Sequence, residues 1–98
     1  MVILIRDVVG SCDTNVQGSV VQDLLRDHLQ KGKNVTLDFS GVFNVTSSFT
    51  NTAFVDLLDD FSFSEFRRLV VLKSVNRQIA SMIKTRVLSR ANVTDEAA

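Results

Sequence analysis

Few side chains in this sequence are of a type and spacing that could do chemistry. His28 is the only histidine and Cys12 the only cysteine among 98 residues. A zinc site needs at least three protein ligands, and acid–base work near neutral pH draws mostly on histidine or on carboxylates shifted by burial. His28 has no Cys or Glu close by in sequence and lies at the edge of an apolar stripe, so it reads as a packing or surface residue. Cys12 falls in a turn and reads as a small buried hydrophobe. Asp56, Asp59 and Asp60 lack the alternating ligand spacing of a calcium loop, and the glycines at 10, 18, 32 and 41 are too scattered to cradle a phosphate. What remains is a set of oxygens around one short segment: Asp38, Ser40, and then Thr46, Ser47 and Ser48 ahead of Phe49. Hydroxyls at a helix start can cap the helix. The chemistry on offer is binding, so the chain is read as a non-enzyme with no cofactor and no metal.

The elements that must position those oxygens follow from periodicity. Met1 to Val9 is a β-branched run interrupted by Arg6 and Asp7, read as one bent strand or a short pair. Thr14 and Gln17 have capping-box spacing, and Val16, Val20, Val21, Leu24, Leu25 and Leu29 recur at helical intervals up to Lys31-Gly32-Lys33. Val35, Leu37 and Phe39 alternate with polar residues as a strand, which places Asp38 near its carboxyl end. Ser40-Gly41 turns the chain, Val42 to Val45 forms a loop, and a second helix follows with Phe49, Ala53, Phe54, Leu57 and Leu58 inward. That helix ends in three aspartates, the wrong sign for a helix carboxyl terminus, read as a solvated acidic end with charges that could also serve as contacts. Phe61 to Phe66 reads as a loop, and Leu69 to Leu72 as a strand covered on both faces and therefore central. A last helix has Ile79, Met82, Ile83 and Val87 facing in. The order strand, helix, strand, helix, strand, helix predicts a small α/β fold on a mostly parallel or mixed sheet. Residues 1–90 form one domain and residues 91–98 a flexible tail.

Composition bounds the function. Eleven basic and eleven acidic residues cancel, which gives no reason to expect nucleic acid or an anionic membrane. The distribution is uneven: residues 1–60 carry four basic and eight acidic side chains, residues 61–98 seven and three. One cysteine makes no intramolecular disulfide, and the apolar Met1–Ile5 is too short for a signal or membrane segment, so a cytoplasmic location is expected.

The stretch Leu37-Asp38-Phe39-Ser40-Gly41-Val42 followed by Thr46-Ser47-Ser48-Phe49 resembles the STAS domain family, the sulfate transporter and anti-sigma factor antagonist fold, and most closely its bacterial STAS-like branch. The resemblance implies a STAS-like α/β domain acting as a regulatory protein-binding module. In anti-sigma factor antagonists the corresponding loop carries a serine phosphorylated by the kinase it binds, and that role falls on Ser47. Asp38, Ser40, Thr46, Ser48 and Phe49 would form the binding loop, and the implied partner is an anti-sigma factor or a histidine-kinase-like ATPase. Thr46 replaces the acidic residue found before the serine in antagonists, and Phe49 the glycine after the serine pair, as in the STAS-like branch. Three other readings stand beside it: Ser47 as a plain helix cap, a homodimeric adaptor without phosphorylation, and a nucleic-acid or anion binder through Arg77, Lys84, Arg86 and Arg90.

Overall fold

The computed structural model describes the backbone of residues 1–97 and the side chains of residues 1–90. β1 (Val2–Leu4) opens the chain and stops early, giving way to a single helical turn, α1 (Ile5–Val8), closed by Val9 N–H donating to Ile5 O at 3.0 Å. The extended segment expected through Val9 is therefore corrected. A strand would put Asp7 on the same face as Ile5 and Val9, whereas a helical turn buries Ile5 and Val9 together at i and i+4 and leaves Arg6 and Asp7 outside.

α2 (Asn15–Gln30) begins at the capping box as expected. Thr14 Oγ1 accepts from Gln17 N–H at 3.2 Å, and Gln17 Oε1 accepts from Thr14 N–H at 3.1 Å. Val21, Leu25 and Leu29 are buried, but Val16 and Val20, counted in the apolar stripe, are 71% and 42% exposed. Their place on the inner face goes to Gly18, over which α3 (Ser47–Ala53) crosses closely. Gly32, at φ +66°, ends α2 in the left-handed cap that its position suggests.

β2 (Val35–Asp38) pairs in parallel with β1 on one side and with β3 (Val70–Lys73) on the other, so β2 is central and β3 is an edge strand. The expectation of a central third strand fails because the run from Leu69 to Leu72 is split. Leu69 belongs to a helix not foreseen, α4 (Phe63–Leu69), and Val71 is 49% exposed. The loop expected over Phe61 to Phe66 is mostly this helix, capped by Ser62 Oγ accepting from Glu65 N–H at 3.1 Å. Val2, Thr36 and Val71 stand side by side on a sheet face left open to solvent, while Ile3, Val35, Leu37 and Val70 face the helices.

After α3 the backbone departs from helix at Phe54 and tightens into a 3-10 turn over Val55–Asp59, where one continuous helix was expected. Phe54 meets Phe49 and Phe66 edge-on, with centroids 6.3 and 6.2 Å apart. The aspartates that follow find cations on other elements: Asp59 pairs with Arg90 and Asp60 with Arg26. α5 (Arg77–Ala97) starts at Asn76, whose Oδ1 accepts from Ile79 N–H at 2.8 Å. The expected tail over 91–98 lies outside the residues whose side chains are described.

Candidate functional site

Three parallel strands bring their carboxyl ends to one edge, and the segments leaving them, residues 5–14, 39–46 and 74–76, gather there. In open α/β sheets this edge is where ligands and partners bind.

Asp38 ends β2 and turns back on the chain. Its carboxylate accepts the Ser40 hydroxyl at 2.6 Å and the Ser40 N–H at 2.9 Å. The Ser40 hydroxyl, then its N–H, with lesser help from Ser74 and the Lys73 charge, hold the Asp38 carboxyl below its ordinary range against the opposing effect of burial. Asp38 and Ser40 thus satisfy each other and shape the turn. Gly41 follows at φ +78°, and Val42 N–H closes the turn on Phe39 O at 2.9 Å.

The next residues are fixed from two sides. Gln78 of α5 accepts Val45 N–H at 3.0 Å and donates to Val45 O at 3.1 Å, and Asn76 Nδ2 donates to Phe43 O at 2.6 Å. From the opposite side, Thr46 N–H donates to Cys12 O at 3.0 Å and the Thr46 hydroxyl to Asp13 O at 2.7 Å. A loop held this firmly displays Phe43 with 81% of its surface in solvent.

Thr46 is the N-cap of α3, with Oγ1 accepting from Phe49 N–H at 3.2 Å. Ser47 is therefore not the cap: it is the first residue of the helix, partly exposed, and its hydroxyl makes no hydrogen bond among the described residues. Ser48 is exposed beside it. Phe49 does not belong to a binding surface, because it is fully buried and packs edge-on against Phe54. Its place at i+3 from the cap turns it inward, where α2 and α3 meet.

The remaining candidates stay apart. Burial, and secondarily Asp13, push the Cys12 thiol up to about 11, which leaves little thiolate at neutral pH. His28 is half-buried with Nδ1 bonded to Leu24 O, near the carboxyl end of α2 and away from the strand-end loops. On α5, Arg90 is engaged with Asp59, while Arg77, Lys84 and Arg86 are exposed. Among the described residues no cluster of His, Cys, Asp or Glu could hold a metal ion, and no helix is long and apolar enough to cross a membrane. Sequence reasoning placed a cap of the last helix within Ser74 to Asn76, which Asn76 fulfils, but it did not foresee the hold of Asn76 on Phe43 O, nor single out Gln78 or Arg6. Their contacts join residues more than thirty positions apart, and no local pattern signals them.

A family model described as a STAS-like domain of unknown function (DUF4325) matches residues 17–80, about two-thirds of the chain. The matched span runs from the first turn of α2 to the first turn of α5 and contains the whole segment from Asp38 to Ser48. Comparisons with curated proteins and with solved structures returned no match. The parallel sheet, the helix started by a hydroxyl pair after the β2 turn, and this match agree that the chain belongs to the family of STAS-like domains.

Proposed function

We propose that this domain is a regulatory protein-interaction module whose docking surface is the loop 41–46 and the start of α3, switched by phosphorylation of Ser47. The observation that carries the reading is the idle hydroxyl of Ser47. The fold uses Thr46 as the cap, so Ser47 is left partly exposed with no structural duty beside a rigid loop presenting Phe43. A loop clamped by Gln78 and Asn76 loses little entropy when a partner docks, and an exposed aromatic on it is a suitable anchor.

Magnitudes indicate how the switch works. A phosphate at a helix N-terminus gains about 1 kcal/mol from the dipole, small beside a domain stability of about 5–15 kcal/mol. The fold stays as it is. Burying roughly −1.5 to −2 charges in a packed interface without a cationic partner costs far more, so phosphate excludes the partner. The family resemblance supports an anti-sigma factor or a histidine-kinase-like ATPase in that role, in the cytoplasm, with the domain acting by binding rather than turnover.

The test pairs two measurements. Wild-type, Phe43→Ala and Ser47→Asp chains are compared for partner capture from source cells, and the intact mass of the native protein is taken. Capture by wild type alone and a mass raised by one phosphate are expected; equal capture by all three with an unmodified mass would dispose of the reading. A homodimeric adaptor is the second reading, favoured by the open face carrying Val2 and Val71. Sedimentation showing a concentration-independent monomer would end it.

A further inference from the structure

Between the segment leaving β1 and the loop leaving β2 lies an open cleft of about 290 Å3, with Arg6 on its wall and Phe43 and Asn44 on its lip. The arginine lies across Gly41. A Cβ placed on Gly41 would stand 2.6 Å from Arg6 Cδ, a contact the flexible arginine could relieve by moving, whereas the φ of +78° at Gly41 disfavours any other residue whatever the space. Arg6 makes no ion pair or hydrogen bond among the described residues, although Asp13 lines the same cleft. The N-terminus of α2 supplies little here, because the N–H groups of Asp13, Thr14 and Gln17 are taken by the capping box. Arg6 is the one cation on the cleft wall among the described residues.

We infer that this cleft recognises a carboxylate side chain of the docking partner, taken by the Arg6 guanidinium, with a neighbouring apolar side chain against the Phe43 ring. The inference rests on the reading of loop 41–46 as a docking surface and adds the chemistry of what docks there. A guanidinium offers two parallel donors that match a carboxylate. The Asp13 carboxylate on the same wall works against a second negative charge, so a singly charged carboxylate is preferred to a phosphate dianion.

The test is an amide chemical-shift titration of the full chain with sodium acetate and, separately, inorganic phosphate, against sodium chloride at matched ionic strength. Acetate should move the signals of residues 10–13 and 41–44 and saturate in the millimolar range, with phosphate weaker by about threefold or more. Arg6→Met, which keeps the aliphatic stem across Gly41, should weaken the acetate response by about fivefold or more, and Lys84→Met should leave it unchanged. An acetate effect no larger than that of chloride, one that survives Arg6→Met, or tighter binding of phosphate would each overturn the inference. If acetate fails while Phe43→Ala still loses the partner, the cleft alone is wrong. A normal acetate response in a chain whose capture ignores Phe43→Ala and Ser47→Asp overturns the docking reading and leaves the anion chemistry standing.

Discussion

At the scale of single residues, two positions show how tightly the helix crossing and the end of the central strand are specified. A Cβ on Gly18 would lie 2.7 Å from Phe49 O and 3.0 Å from Thr52 Cβ, so the glycine sets how closely α2 and α3 approach. Helix propensity alone favours alanine there by about 1 kcal/mol, but backbone overlap costs about 1–3 kcal/mol and should win. Gly18→Ala is therefore expected to lower stability by up to about 2 kcal/mol in urea titration, and a gain would show that the crossing is loose. Asp38 provides a pH signature. Its carboxyl is held low in the fold by the Ser40 hydroxyl first, so its contribution is present above the unfolded carboxylate range and is lost as pH falls through the lowered value. Denaturant midpoints measured from about pH 6 down to about pH 2 should fall less steeply in Asp38→Asn than in wild type, over that acid limb only.

At the scale of elements, the site depends on α5 holding a loop that belongs to another part of the chain. Gln78 makes both hydrogen bonds to Val45, and Asn76 serves at once as the cap of α5 and the holder of Phe43 O. Removing the Gln78 amide leaves a half-buried N–H and C=O to find water. Gln78→Ala should cost about 1–3 kcal/mol and speed amide exchange at residues 43–46 more than elsewhere. Gln78→Glu keeps the acceptor for Val45 N–H and loses the donor, so it should fall between the two; uniform exchange across the domain in Gln78→Ala would refute the clamp. The same scale explains the helix α4 that periodicity passed over. Its Ser62 and Glu65 carry a capping signature in the sequence, but three phenylalanines in six residues mask the helical period.

At the scale of the whole molecule, the sheet is covered on one face only. Val35 and Leu37 of the central strand are fully buried under the helices, while Val2 and Val71 on the other face remain open. Leu37→Ala should cost about 2–5 kcal/mol, whereas Val71→Thr should stay within about 0.5 kcal/mol of wild type in dilute solution. A large loss from Val71→Thr would mean that the open face is buried in an assembly. The uneven charge of the two halves is partly reconciled across the tertiary structure by the Arg90–Asp59 pair; this pair, and the Arg26–Asp60 pair within the first half, are partly exposed and worth about 1 kcal/mol or less each.

The local grammar of the chain was sufficient for a good deal. Thr14 and Gln17, the alternation about Leu37, the left-handed Gly32 and the hydroxyls before α3 all act within a few residues of themselves, and each could be read directly. The α/β class and the location of the candidate site at a strand end followed from them. Strand order, the exposure of Phe43, the burial of Phe49, the choice of Thr46 over Ser47 as cap and the seat of Arg6 on Gly41 did not follow. Each of these is decided by which distant group occupies the neighbouring space, and a hydrophobic run such as Leu69 to Leu72 has the same composition whether it fills a central strand or divides between a helix and an edge. Propensity is a property of neighbours in sequence, whereas burial is a property of neighbours in space, and only the packed molecule supplies the second.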